Sequence, residues 1–219
     1  LGTVHTRQNA VVKRVYVQDH RPGMQCYQSE EATAERDVSL QSTAINIGAS
    51  YARLEGATIA AGSGADVHLY SMGAPTGTQV FDQRTLQVHR ASHARSDLLF
   101  KNALLDKSQT IFSGMIVVED EAQQTDAYQT NNNLLLSPTA EANSLPGLEI
   151  EANDVKCSHG ATSGQVDSEQ LFYLKARGIP ERQAYELLVF GFFEEVLGKI
   201  ASDDVHEKLA DKVKAKFEA

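Results

Sequence analysis

Short apolar runs separated by polar turn residues dominate the chain between residues 38 and 165. The runs lie at 67–70, 86–89, 98–100, 111–112, 115–118, 134–136 and 148–150. They recur roughly every 10 to 18 residues, with Gly, Asp, Asn and Ser between them, which is typical of strands that each end in a turn. The pattern predicts a mainly β body, and the irregular spacing favours a β-solenoid over a two-sheet Greek key.

The spacing of the apolar positions becomes helical after Asp167. Asp167 can cap the start of a first helix, and Gly178 can end it in the left-handed conformation. Pro180 then suits the first turn of a second helix, and Ser202 can cap a third. The sequence therefore predicts three helices behind the β body.

The second and third predicted helices carry apolar faces. The apolar positions are Ala184, Leu187, Leu188, Phe192, Val196 and Leu197 on the second helix, and Val205, Leu209, Val213 and Phe217 on the third. Three short helices cannot fully cover one another, so part of this surface either contacts a partner or folds back onto the body. We expect two domains, a β body over 1–166 and a helical domain over 167–219.

Composition excludes some classes of function. The formal net charge of −9 opposes binding to nucleic acid, whose main attraction is phosphate neutralisation by Lys and Arg. No stretch approaches the roughly 18 consecutive apolar residues that cross a bilayer. Cys26 and Cys157 are too few for a disulfide framework, which favours a reducing compartment such as the cytoplasm. Because the chain begins at Leu1 in sequence that already reads as extended, we expect a truncated protein.

Catalytic motifs are not evident. Gly198 and Lys199 are followed by Ile200 rather than by Ser or Thr, so the sequence predicts no ATPase motif and no enzyme activity of its own. His89 and His93 stand four apart in sequence that reads as strand and turn, where that spacing does not bring two ligands together. Surface or turn-stabilising histidines are the favoured interpretation.

Cys157 and His159 form the strongest candidate for chemistry. On a strand, residues two apart point to the same face, so a thiol and an imidazole would lie side by side. Both are good ligands for iron and zinc. The alternative is that this face, which Val155 shares, is interior. Gly160 and Gly164 would permit a bend that turns His159 outward.

Several segments closely resemble one known family. The segments NDVKCSHGAT at 153–162 and EQLFYLKARGI at 169–179 resemble the signature of SufD members of the SufB/SufD family of iron–sulfur cluster assembly proteins. Upstream, SDLLFK at 96–101, FSG at 112–114 and NNLLLS at 132–137 match the C-terminal half of the same family. The family's N-terminal helical region has no counterpart here, in keeping with a truncated chain.

The resemblance favours SufD over SufB at two positions. SufB carries a cysteine before a Gly-Ala-His-Thr-Phe-Pro motif, where this chain reads AEANSLP at 140–146. SufB also has a glutamate after the motif histidine, where this chain has Gly160. We therefore expect that this chain alone does not host the cluster.

The resemblance implies a right-handed parallel β-helix core followed by a small C-terminal helical domain. It also implies a scaffold that contains one SufB, one SufD and two SufC ATPase subunits. SufB and SufD pair through their β-helix cores, and each holds one SufC by its helices, so Leu188 and Phe192 become candidate SufC contacts. His159, with Cys157 beside it, would face SufB and contribute to a transient iron–sulfur cluster shared with that subunit.

Two other functions remain open from the residues alone. One is a purely structural homodimeric β-helix protein, because SufD-like chains can pair with themselves. The other is a β-helix carbohydrate-active enzyme, although no groove of Asp, Lys, Arg and aromatic residues is evident among the strands. We expect a cytoplasmic location, or a plastid location if the source is a photosynthetic eukaryote.

Overall fold

The computed structural model describes residues 1–200 and 202–218, with the backbone alone for residues 217 and 218. The strands are β1 (Gly2–Thr6), β2 (Val11–Gln18), β3 (Gln25–Ala34), β4 (Ser39–Asn46), β5 (Tyr51–Ala60), β6 (Asp66–Gly73), β7 (Val80–His89), β8 (Arg95–Leu104), β9 (Gln109–Val118), β10 (Asp126–Leu135), β11 (Glu141–Ile150) and β12 (Lys156–Gln165). The helices are α1 (Ser168–Ala176), α2 (Glu181–Leu197) and α3 (Asp203–Glu218).

Consecutive strands alternate between two parallel six-stranded sheets. Sheet A has the order β1-β3-β5-β7-β9-β11, and sheet B has the order β12-β10-β8-β6-β4-β2. Each coil gives one strand to each sheet and stacks on the coil before it, so that Asp126 of β10 pairs with Arg95 of β8 on one side and with Lys156 of β12 on the other. The prediction of a parallel β-helix followed by a small helical part is confirmed.

Strand alternation places every second side chain inside the solenoid. On β10 the inward residues Ala127, Gln129, Asn131 and Asn133 are all buried, and the residues between them are more exposed. Apolar residues such as Leu98 of β8 fill part of this interior. Because the side-chain period of a strand is two, sequence alternation is enough to divide inside from outside.

A ladder of hydrogen-bonded polar side chains also runs through the interior from coil to coil. Asn102 lies at its centre and donates to Gln83 Oε1 at 3.2 Å and to Asn133 Oδ1 at 3.0 Å. The ladder continues through Gln83 to the hydroxyl of Ser71 at 3.2 Å. Because a buried polar group without a partner is costly, each rung fixes the position of the next.

The outer face of sheet B is covered by α2. One apolar cluster unites Ile45, Tyr70, Met72, Leu99 and Ala103 of the sheet with Val189, Phe193, Val196 and Leu197 of the helix. The predicted apolar face was partly wrong, because Leu187 is 53% exposed whereas Val189 and Phe193 are buried. α2 has apolar residues on more than one side, and those on the side that faces sheet B are the ones that are buried.

Polar contacts fix the helices to the β-helix. The Lys101 ammonium group donates to the main-chain oxygen of Phe192 at 3.0 Å, lies 4.7 Å from the centre of the Phe192 ring and pairs with Glu195. Gln41 donates to the main-chain oxygen of Lys199 at 2.7 Å. These contacts lie around the apolar cluster and set the orientation of α2.

The ends of α1 follow the sequence prediction. The Asp167 carboxylate accepts a hydrogen bond from the main-chain N–H of Glu169 at 2.8 Å, and Gly178 adopts the left-handed conformation with φ of 85°. No residue of α1 is buried. The caps therefore set the two ends of α1, while its contacts with α2 leave every one of its side chains at least partly exposed.

Candidate functional site

The candidate site lies on β12, the final strand of sheet B. Among the residues that the structure describes, β12 pairs with β10 alone, and no following coil covers the inward side chains of the last coil. His159 is in register with Gln129 of β10, which is buried, yet His159 is exposed. An inward position of the solenoid thus becomes a surface position at its open end.

The expected bend beside His159 does not occur. β12 runs without interruption from Lys156 to Gln165 and pairs with β10 through Gly160 and Gly164. His159 keeps the same inward orientation as Cys157, and its exposure results from the end of the coil stack. The prediction that the glycines turn His159 outward was wrong, although Cys157 and His159 do share one face of the strand, as strand alternation requires.

Cys157 is the more protected of the two residues. Its side chain is partly buried against a small apolar cluster that includes Ile116 and Val155. Burial raises the pKa of the Cys157 thiol, and the nearby Asp126 carboxylate raises it further, while a main-chain hydrogen bond from Ala127 acts in the opposite direction. The thiol is therefore protonated at neutral pH and is a weak nucleophile.

Hydrogen bonds to the coil below hold the exposed strand in place. The Thr162 hydroxyl donates to Asn132 Oδ1 at 2.7 Å. Asn133 donates to the main-chain oxygen of Thr162 at 3.3 Å and to the Ser144 hydroxyl at 3.3 Å, which connects β12 to β11 through the interior. The open end is thus an ordered polar surface that can present His159 in a fixed position.

A complete metal site is not formed by this chain within residues 1–200 and 202–218. No three His, Cys, Asp or Glu side chains among them are grouped so that they could hold a metal ion. Cys157 and His159 supply at most two ligands, whereas an iron–sulfur cluster is commonly held by four protein ligands, most of them cysteine thiolates. Further ligands would have to come from another chain.

The two predicted partner residues lie on different parts of α2. Leu188 lines a shallow groove together with Asp167, Gln170, Tyr173 and Leu174 of the α1 region. Phe192 is half-buried and packs against the cluster between α2 and sheet B. Leu188 therefore belongs to an accessible surface, whereas Phe192 supports the attachment of the helix.

Sequence reasoning did not single out two exposed aromatic residues of α1. Phe172 is 73% exposed and Tyr173 is 55% exposed. The Arg177 guanidinium lies 4.8 Å from the centre of the Tyr173 ring, which gives this surface a mixed aromatic and basic character.

The two histidines that were rejected as a zinc pair occupy different environments. His93 lies in a turn with φ of 60°, as expected for a turn-stabilising residue. His89 is buried inside the solenoid with its Nε2 atom 2.9 Å from the Ser96 hydroxyl. The expectation of a surface or turn position was therefore wrong for His89, because its strand directs it inward.

Residues 2–192 match the family model described as SUF system FeS cluster assembly, SufBD core domain. The chain belongs to the SufB/SufD family. The match extends from β1 through the β-helix into α2, so it covers the open end with Cys157 and His159 as well as the attachment of the helices.

Several members of the family are similar to this chain. An iron–sulfur cluster assembly protein SufD of Escherichia coli is 30% identical over 211 residues, which are 96% of this chain and 50% of that protein. A SufBD family protein of Mycobacterium tuberculosis is 33% identical over 198 residues, 87% of this chain and 50% of that protein. A protein of Arabidopsis thaliana that is named as chloroplastic is 36% identical over 161 residues, 68% of this chain and 34% of that protein.

The chain spans about half the length of the first two of these relatives. Among the described residues, no helix is long and apolar enough to cross a membrane.

Proposed function

We propose that this chain acts as a SufD-like subunit of an iron–sulfur cluster assembly scaffold. In this role it pairs with a SufB-like subunit at the open end of the β-helix and holds a SufC-like ATPase on its helices. The observation that carries the proposal is the exposed His159 on the uncovered final strand, beside Cys157, in a chain that belongs to the SufB/SufD family.

The chemistry at the open end suits a shared site rather than a resident cofactor. A neutral imidazole is a competent iron ligand, whereas the partly buried and protonated Cys157 is the weaker of the two candidates. Since two ligands are too few to retain a cluster, a partner must complete the coordination. The cluster is then a transient cargo at the interface, which fits a scaffold that has to release its product.

The helices supply the proposed ATPase contact. Phe172, Tyr173 and Leu188 form an accessible surface with aromatic and aliphatic character on α1 and α2. Aromatic residues are enriched in the energetically important parts of protein interfaces. Phe192 holds α2 on the β-helix through its contacts with Lys101.

Replacement of the two site residues tests the role in cluster assembly. The chain is co-expressed with SufB-like and SufC-like subunits, the complex is purified, and bound iron and sulfide are measured together with subunit stoichiometry. We expect His159→Ala to lower cluster content severalfold at normal stoichiometry, and Cys157→Ser to have a smaller effect. Gln165→Ala, at the far end of the same exposed strand, is the control.

The outcomes separate the roles of the residue. Full cluster content in the His159→Ala complex would refute the proposal for this residue. Loss of the complex itself would show that His159 acts in packing at the interface.

For the helical surface, we expect Tyr173→Ala combined with Leu188→Ala to reduce capture of the SufC-like subunit while pairing with the SufB-like subunit persists. Unchanged capture would mean that the docking site lies on the β-helix instead.

A structural homodimer is the second candidate. β11 and β12 are both edge strands at the open end, and an unpaired strand edge readily pairs with another chain. Gel filtration of the chain with and without a SufB-like partner distinguishes the two. A dimer that persists in the presence of the partner would favour the homodimer. Membership of the SufB/SufD family favours both candidates over a carbohydrate-active enzyme.

The proposed location follows from the same family membership. Because one relative is named as chloroplastic and others are bacterial, we propose a cytoplasmic location in a bacterium and a plastid location in a photosynthetic eukaryote. Fluorescent tagging of the native protein in its source organism is the direct measurement.

A further inference from the structure

A cavity of about 290 Å³ lies between the two sheets in the N-terminal half of the β-helix. Its apolar walls include Tyr16, Leu54, Leu69 and Phe100, and its polar lining includes Arg14, Gln28, Glu30 and Thr85. These residues belong to both sheets and occupy inward positions of their strands. The cavity is therefore part of the interior of the solenoid, distant in chain order from the open end at β12.

The cavity lies beside an inward position that has no side chain. Glu30, Gly56 and Thr85 form one row across sheet A, since Gly56 pairs with Glu30 on one side and with Thr85 on the other. A Cβ atom added at Gly56 would meet no other atom within 4 Å. Protein interiors are otherwise close-packed, so an empty position of this size in the middle of a sheet is uncommon.

Three buried polar atoms at the cavity have no hydrogen-bond partner in the described part of the chain. They are Arg14 Nε, Gln28 Oε1 and Thr85 Oγ1. The first is a donor, the second is an acceptor, and the hydroxyl can serve as either. Buried polar groups are almost always satisfied, so these atoms call for an occupant that both accepts and donates.

The walls favour an organic occupant over water alone. A buried water normally makes two to four hydrogen bonds, and the aromatic and aliphatic part of the lining offers none, so water placed against that part of the cavity lacks partners. Binding sites for small molecules instead combine apolar walls with a few placed polar groups. The lining at Tyr16, Leu69 and Phe100 has that character.

The mouth of the cavity sets the charge of the occupant. The guanidinium of Arg14 forms an ion pair with the Glu30 carboxylate, and the two side chains are 24% and 25% exposed. They are therefore positioned where the interior meets solvent. Because the pair is neutral as a unit, it gives no net attraction to an anion or a cation, which favours a neutral molecule.

We propose that this cavity binds a small, neutral, planar heterocycle that carries a ring nitrogen acceptor and an N–H donor. The acceptor receives a hydrogen bond from Arg14 Nε, the donor bonds to Gln28 Oε1, and the ring packs against Phe100 and Tyr16. At the packing density of protein interiors, the volume holds a molecule of roughly ten non-hydrogen atoms. This site is separate from the proposed cluster site and does not depend on it.

Benzimidazole is a suitable probe, and indene, a hydrocarbon of the same shape without the nitrogen atoms, is its matched control. Isothermal titration calorimetry or ligand-observed NMR with the intact chain measures both. We expect benzimidazole to bind with a Kd below about 1 mM and at least tenfold more tightly than indene. Failure of benzimidazole to bind at that concentration would mean that water alone occupies the cavity, and equal binding of the two probes would exclude the polar recognition. Either result overturns the proposal.

Two variants locate the binding to the cavity. Gly56→Leu fills it and should abolish benzimidazole binding, whereas Thr33→Leu, on the outer face of the neighbouring strand, should leave it unchanged. Gln28→Met keeps roughly the length of the side chain and removes the unpaired acceptor, so it should fold normally and weaken benzimidazole binding about fivefold. Unaltered affinity in Gln28→Met together with binding retained in a folded Gly56→Leu would show that the probe binds elsewhere and would overturn the proposal.

Discussion

Lys101 of β8 and Phe192 of α2 form a double contact between the β-helix and the helices. The ammonium group donates to the Phe192 main-chain oxygen at 3.0 Å and lies 4.7 Å from the centre of the ring of the same residue. Lys101 is only 7% exposed, an unusual burial for a lysine, and it is compensated by Glu195. This residue therefore connects the two parts of the molecule that carry the proposed partner surfaces.

We expect Lys101→Met to loosen α2. The change retains the aliphatic part of the side chain but removes the charged hydrogen bond to the Phe192 carbonyl, at a cost of roughly 1 to 3 kcal/mol in the free energy of unfolding. Hydrogen exchange of the α2 amides and chemical denaturation measure the effect. Lys107→Met, at an exposed lysine, is the control and should change neither quantity. Equal exchange in the two variants would contradict a role of Lys101 in attachment.

The polar ladder inside the solenoid should contribute to stability. Asn102 is fully buried, and Asn102→Ala would remove the donor to both Gln83 and Asn133. We expect a loss of roughly 2 to 3 kcal/mol, because two buried acceptors lose a partner. Asn132→Ala, which affects only the exposed bond to Thr162, should cost less than about 1 kcal/mol. Similar denaturation midpoints for the two variants would argue against the ladder.

Substitutions on the buried and exposed sides of α2 should differ in their effect on stability. Phe193 is fully buried between α2 and sheet B, and Phe193→Ala should cost about 3 to 5 kcal/mol because it creates a cavity. Leu187→Ala should change stability by less than about 0.5 kcal/mol, since Leu187 is largely exposed. Thermal unfolding of both variants is the measurement, and a larger effect at Leu187 would require a different orientation of the helix.

His89 should make stability depend on pH. Burial lowers the pKa of His89 from 6.5 to about 4, so the folded protein keeps a neutral imidazole where the unfolded chain is protonated. The stabilisation that depends on neutral His89 is therefore complete above pH 6.5 and is lost as the pH decreases from 6.5 towards 4. The loss attributable to this residue is about 3 kcal/mol.

The matched variants for this effect are His89→Gln and His20→Gln. Denaturant unfolding between pH 7 and pH 4 gives the slope of stability with pH. We expect His89→Gln to flatten the slope, whereas His20→Gln, at an exposed histidine, should retain it. An unchanged slope in His89→Gln would assign the acid sensitivity to other groups.

The sequence by itself determined the class of fold and the family. Short apolar runs at irregular intervals predicted the solenoid, and the segments around Cys157 and Asp167 carried the resemblance that the family match confirmed. The caps at Asp167 and Gly178 were also predictable. These features depend on neighbours in sequence, because strand alternation and helix caps are set by local backbone geometry.

Only the tertiary structure decided which positions are covered. His159 and Gln129 occupy equivalent inward positions, but the described part of the chain forms no further coil above β12, so His159 is exposed and Gln129 is buried. The burial of His89, the choice of Val189 and Phe193 as the packed face of α2, and the cavity beside Gly56 likewise depend on which coil or helix lies opposite. Coverage arises from contacts between residues distant in sequence, and local patterns carry no information about such contacts.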